Sequence, residues 1–257
     1  MEIEKKTVWI TGASSGIGME FARAYAKKGY RLILSARRKD RLDAIARSLG
    51  TDCRVEVADL SGEEECYNVC KLLQEETIDI FINNAGFGTC GSFADTDLSK
   101  EVNMIAVNVT AVHILCKQVL LHMKKRGRGT ILNVASSAGL LPGGPYMATY
   151  YATKSYVVSL TKGIAEELRL EGSKVYVCAL CPGPVDTEFN ENADVVFALK
   201  GISPEQCVAD ALRGMKKKKN IIVPGTFVRL GSIFSKVVPD CILLPLIAGR
   251  QKKKSGT

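Results

Sequence analysis

The chain carries only two histidines, His113 and His122, and both fall in one long apolar segment. That scarcity leaves no cluster from which a metal site is readily built, so no metal chemistry is expected. The stretch "MEIEKKTVWITG" lacks the apolar run and small-residue cleavage site of a secretory leader. Toward the other end, "CILLPLIAG" contains a proline and is too short to span a bilayer. No linker, repeat or low-complexity stretch divides the sequence, and a single domain over residues 1–257 is expected. Arginines and aromatics do not interleave as they do in single-strand nucleic-acid binders, so no specific nucleic-acid partner is expected. The nine cysteines are odd in number and scattered, which fits a reducing cytoplasm rather than a disulfide framework. Cys178 and Cys181 form a lone C-x-x-C at the end of an apolar run and read as buried thiols.

What the sequence does have is alternation. Hydrophobic residues make up 46% and charged residues 24%, the balance of an ordinary globular chain with a substantial core. The formal charge of +8 comes largely from two lysine clusters, Lys216 to Lys219 and Lys252 to Lys254. A solvated surface is the simple reading of both; weak attraction to anionic lipid or nucleic acid is the other. Strand-like runs are "TVWITG", "RLILSA", "CRVEVAD", "IDIFINNAG", "GTILNVAS", "KVYVCALCPG" and "NIIVPG", separated by longer amphipathic segments. Seven strands alternating with helices predict an α/β fold: a doubly wound, Rossmann-type parallel sheet with helices on both faces.

The first strand-like run opens into "TGASSGIG", with glycines at Gly12, Gly16 and Gly18. Glycine in such a turn lets the backbone approach a pyrophosphate, and the following helix start offers free N–H groups to it. Ser14, Ser15 and Ile17 belong to the same turn. The second run ends in Arg37 and Arg38, where NAD-binding sheets usually hold an acid for the ribose 2′-hydroxyl. Two guanidiniums suit a 2′-phosphate, so NADP (NADPH) is expected over NAD. Asp59, after the third run, either caps the next helix or reaches the adenine edge.

In "TYYATKSYV", Tyr150 and Tyr151 stand four and three residues before Lys154, both on a shared helix face with it. Together with "TGASSGIG", "ADL", "NNAG", Asn108 in "AVNV", "SS" at Ser136–Ser137 and "PGPVDT", this sequence resembles the short-chain dehydrogenase/reductase family over residues 5–225. The resemblance implies a catalytic tetrad of Asn108, Ser136, Tyr150 and Lys154, which selects Tyr150 over Tyr151. Counting from Gly129 favours Ser136, whereas counting back from Tyr150 lands on Ser137; an extra residue in "LLPGGPYM" reconciles the two, and Ser136 is taken. It further implies cofactor contacts from Leu60, Asn84, Ala85 and Gly86, from Pro182, Gly183, Val185 and Thr187, and from Tyr150 and Lys154 themselves. Ser15 stands where many NADP-preferring relatives carry a basic residue, which leaves the preference to Arg37, Arg38 and Ser14.

Ketone reduction needs a hydride on carbon and a proton on oxygen. A free tyrosine titrates at about 10, and a neighbouring ammonium is expected to lower that value. Ser136 would hold the substrate oxygen, and Asn108, strained in mid-helix, a water. Leu140, Leu141, Tyr146, Met147, Phe87, Phe189 and Phe197 line the segments that set specificity in the family. A hydrophobic ketone or secondary alcohol is therefore expected, with hydroxysteroids first and a carrier-bound 3-oxoacyl group as the alternative. A non-catalytic NADP sensor is the reading from another class. Residues 186–202 form the expected substrate loop, and residues 226–257 an extension that closes the pocket, joins a dimer or touches a membrane. The apolar helices beginning near Glu101 and Tyr150 predict a homodimer or homotetramer.

Overall fold

The computed structural model describes residues 5–188, 201–235 and 237–252. Seven strands form one parallel sheet: β1 (Thr7–Thr11), β2 (Arg31–Ala36), β3 (Cys53–Val57), β4 (Ile80–Asn83), β5 (Gly129–Val134), β6 (Val175–Leu180) and β7 (Ile221–Ile222). Their order is β3-β2-β1-β4-β5-β6-β7. Successive residues along each strand point to opposite faces, and each face has its own core. Trp9, Ile33, Phe81, Ile131 and Val177 pack on α3 (Glu63–Cys70) and α5 (Val112–Arg126). Val8, Ile10, Leu32, Leu34, Leu132 and Leu180 pack on α1 (Gly16–Ala26) and on the helix Pro204–Lys216, here α7. Burial on both faces is why the strands read as nearly continuous apolar runs.

The expected seven strands and doubly wound order are all present. The seventh is shorter than "NIIVPG", because only Ile221 and Ile222 pair with Ala179 and Leu180. α2 covers Lys39–Ser48, α4 Leu98–Ile105 and α6 Ala148–Leu170. Between α4 and α5 the chain widens into a π-helical segment, Ala106–Ala111, so Leu98–Arg126 is one continuous helical run. It is long and apolar enough to cross a membrane by composition, yet Leu115, Val119 and Met123 pack into the core shared with the sheet and α3. The C-terminal extension forms two helices, α8 (Thr226–Phe234) and α9 (Asp240–Lys252). Cys178 and Cys181 are buried free thiols, and burial pushes each up to about 12, which rules out a reactive thiolate pair at neutral pH.

Candidate active site

The strand order reverses between β1 and β4, and crevices at such switch points lie beyond the carboxyl ends of the strands. Loops from several strand ends meet there. The first is the glycine turn after β1. Gly12 adopts a left-handed φ of 63°, and a Cβ on Gly18 would come within 2.3 Å of the Gly12 carbonyl oxygen. Only glycine permits this crossing of turn and helix start. The second loop, after β4, is tied to the first. The Thr11 hydroxyl accepts from the backbone N–H of Asn84 and of Ala85, at 2.9 and 3.1 Å. Asn84 Nδ2 in turn donates to the carbonyls of Thr11 and Gly12. Asn84 therefore holds the turn open by its side chain, while Ala85 packs against the core.

Arg38 reaches over this turn, donating to the hydroxyls of Ser14 and Ser15 at 3.1 Å each and to Glu188 at 3.2 Å. Partial burial resists ionisation of Glu188, but Arg41 and Arg38 outweigh it and hold the carboxyl below its usual range. Arg37 is exposed beside it. Of the two arginines named from the sequence, Arg38 is thus the one gripping the glycine turn. Thr187 lies against Gly16, whose Cβ would meet its side chain at 3.2 Å. Val185 is buried and pairs with Ile202, anchoring the chain after the Pro182–Gly183 turn. Asp59 does not cap α3: Gly62 occupies that position, and Asp59 Oδ1 instead accepts from the Ser61 N–H in the preceding turn. The Leu60 side chain is core.

The four tetrad positions come together below this cradle. Tyr150 and Lys154 are both buried on α6. Lys154 Nζ lies 5.9 Å from the Tyr150 ring centroid and donates to the Val134 carbonyl at 3.1 Å. A Cβ on Gly86 would lie 2.9 Å from Asn108 Oδ1 and 3.1 Å from Lys154 Nζ, so both polar ends converge on bare backbone. Asn108 sits in the π segment, a local widening that recurs at functional sites. Its amide is held at both ends by Phe87, accepting from the N–H at 3.0 Å and donating to the carbonyl at 2.8 Å, and it donates to Thr153. Ser136, not Ser137, bonds the Tyr150 hydroxyl. Ser136 Oγ also accepts from the Ala138 N–H, while Ser137 spends its backbone N–H on Pro182.

One expectation is corrected here. Tyr150 is not acidified in this state: burial pushes its phenol up to about 12, and the Ser136 hydrogen bond only partly opposes that. Burial holds Lys154 down at about 8. Loss of hydration penalises both charged forms.

Around Tyr150 lies an apolar cluster of Met104, Ala138, Met147 and Tyr151, with Phe87, Cys90 and Leu141 at its edge. The Tyr146 backbone takes a left-handed φ of 64°, costly for a bulky residue, and its carbonyl accepts from the Gly91 N–H. Leu140 belongs to a different cluster, with Val157 and Ala179. Phe189 and Phe197, and most of the substrate loop, lie outside the described residues. Sequence reasoning missed α9. Leu243 and Ile247 join the Tyr150 cluster, and Gln251 Nε2 donates to the Tyr151 hydroxyl at 2.7 Å. Only the apolar 3–4 spacing of Leu243 and Ile247 hinted at an inward face.

A glycine-lined dinucleotide cradle beside buried Tyr150, Lys154 and Asn108, with Ser136 half-buried among them, defines the class, a nucleotide-dependent oxidoreductase. The short chain dehydrogenase family matches residues 6–195, and the chain belongs to that family. A short-chain dehydrogenase from Sphingobium yanoikuyae, solved in complex with NADPH, is 33% identical, with a TM-score of 0.82 over 90% of this chain and 93% of that one. The bulky-bulky ketone specific alcohol dehydrogenase from Comamonas testosteroni is 28% identical, with a TM-score of 0.77 over 92% and 96%. A very-long-chain 3-oxoacyl-CoA reductase from Anas platyrhynchos is 30% identical over 95% of this chain and 79% of its own length. The chain is thus similar to both ketone and 3-oxoacyl reductases.

Proposed function

We propose that this protein is an NADP(H)-dependent oxidoreductase of bulky hydrophobic ketones and secondary alcohols, hydroxysteroids foremost. The observation that carries the reading is the company Tyr150 keeps: a hydroxyl bonded by Ser136, and a surrounding cluster of mostly apolar side chains. Side chains of that kind gain roughly 25 cal/mol per Å² of apolar substrate surface they cover. The cofactor fits the cradle. Gly12, Ser14, Ser15, Gly16, Ile17 and Gly18 would take the pyrophosphate, and Arg37 and Arg38 the 2′-phosphate, with NAD the weaker ligand. Asp59, Leu60, Asn84, Ala85 and Gly86 would flank the adenosine and ribose. Pro182, Gly183, Val185 and Thr187 would flank the nicotinamide. When bound, NADPH supplies the hydride that reaches the carbonyl carbon.

The chain's own residues manage the proton. Tyr150, protonated at neutral pH, donates to the carbonyl oxygen as charge develops there, while Ser136 donates a hydrogen bond to the same oxygen. Lys154 stabilises the tyrosinate left behind and holds the nicotinamide ribose. Asn108 fixes the Phe87 backbone that walls the site. Leu141, Tyr146 and Phe189 set the substrate's fit. The alternative substrate, a carrier- or CoA-bound 3-oxoacyl group, draws support from the Anas platyrhynchos relative. A screen of steroids, aromatic ketones, 3-oxoacyl thioesters, sugars and short keto acids with NADPH separates these. Turnover restricted to sugars or short acids would defeat the apolar reading; turnover only of thioesters would select the alternative. Exposed Leu98, Val102, Ile105, Leu121 and Tyr156 on the Leu98–Arg126 and α6 helices favour a homodimer or homotetramer, checked by light scattering. Nine free thiols fit a cytoplasmic setting.

A further inference from the structure

The last two helices have an apolar side that the fold does not use. On α8, Val228 faces inward against Gly183, while Phe227, Leu230 and Phe234 project into solvent, 72%, 59% and 66% exposed. They recur at helical spacing and form one outward stripe. Val237, just before α9, and Ile242 and Leu246 on it are also exposed, while Leu243 and Ile247 of α9 pack against the Tyr150 cluster. An apolar stripe left in water beside a polar face is the pattern of an amphipathic helix that lies at an interface.

Charge beside the stripe says which. Between α7 and α8 runs a groove of about 680 Å³ that contains no tetrad or cradle residue. Lys162, Arg213, Lys217, Lys219 and Arg229 line it. Its one carboxylate, Asp210, is engaged by Arg213, Gln206 and the Gly225 N–H. Thr226, Arg229 and Ser232 turn one face of α8 to this groove, directly beside the apolar stripe. Residues 226–252 hold a single acid, Asp240.

We propose that α8 and α9 dock the protein on the surface of a bilayer containing anionic phospholipid. The stripe enters the acyl boundary and the groove cations meet the headgroup phosphates, as amphipathic interfacial helices do. A second copy of the chain fits less well, because a two-fold contact would set the same cations against one another. A nucleic acid would pair the cations and leave the stripe in water. Docking would also place α9, the wall of the Tyr150 cluster, at the source of an apolar substrate.

Co-sedimentation of the full chain with vesicles tests this. Binding to phosphatidylcholine–phosphatidylglycerol vesicles should exceed binding to phosphatidylcholine alone by about tenfold or more. It should fall with added salt. The triple variant Phe227→Ser, Leu230→Ser, Phe234→Ser and the double variant Lys217→Glu, Lys219→Glu should each lose about tenfold. All these positions are exposed, so the thermal midpoint without vesicles should not move. Absent binding, equal binding to both vesicle types, or variants that bind like the parent would overturn the proposal. So would a triple variant that turns an oligomer into a monomer while the parent ignores vesicles.

Discussion

The nucleotide half and the substrate half of the site are built by different means. The cradle after β1 and β4 is made of backbone: glycines with no room for a Cβ, and a threonine and an asparagine that bond peptide groups. Its parts lie within 75 residues of one another and follow directly from strand ends. The substrate half is made of side chains brought from afar. Tyr151 is capped by Gln251, 100 residues away, and Tyr150 is enclosed by residues from four separate segments. A backbone-built site tolerates almost no substitution but recurs as a motif. A side-chain-built site can be refitted to a new substrate while the scaffold stays the same.

The neighbouring tyrosines give the sharpest test of this contrast. Tyr150→Phe should lower kcat by about 10²–10⁴-fold, with NADPH binding near that of the parent. Tyr151→Phe should leave kcat within a few-fold. Steady-state kinetics and NADPH fluorescence titration read both, and exchanged phenotypes would reassign the acid.

On the cofactor side, Arg37→Ala and Arg38→Ala should each raise KM for NADPH far more than for NADH. A charge-assisted bond is worth about 1.5–3 kcal/mol, so the shift should be on the order of tenfold or more. Equal changes for the two cofactors would remove the 2′-phosphate contact.

The pH dependence probes the buried pair. Lys154 titrates at about 8 in the folded protein, below its unfolded value, so the unfolded chain binds more protons between those limits. Stability from this group therefore rises with pH above 8, by about 2 kcal/mol as pH 10 is approached. Tyr150, raised to about 12, acts in the opposite sense only above its unfolded value of about 10. Denaturant melts of the cofactor-free protein and of Lys154→Met should show the parent gaining on the variant from pH 8 to 10. A constant difference would mean that Lys154 is not desolvated.

The smallest effect belongs to the far wall. Gln251→Leu should cost about 1 kcal/mol by stranding the Tyr151 hydroxyl. The double variant Gln251→Leu, Tyr151→Phe should cost less than the two singles added together, because the orphaned group is then gone. Strict additivity in a double-mutant cycle would show that the hydrogen bond is not formed.

Much of this protein was readable in residue order. Strand runs buried on both faces dictate a doubly wound parallel sheet, and glycines where chain meets chain dictate the turn after β1, because both are local consequences of sterics and burial. The spacing of Tyr150 and Lys154 on one helix is equally local. Tertiary structure alone decided the remainder. Which serine meets Tyr150 depends on how the chain between them packs, and Ser136 is the one that bonds its hydroxyl. Whether Lys154 acidifies Tyr150 depends on how much water the enclosing cluster excludes, and burial won. That Arg38 grips the turn, and that Gln251 reaches Tyr151, depends on contacts between segments far apart in sequence. Local spacing specifies which groups can share a face; only the packed chain sets their distance, their hydration and hence their charge.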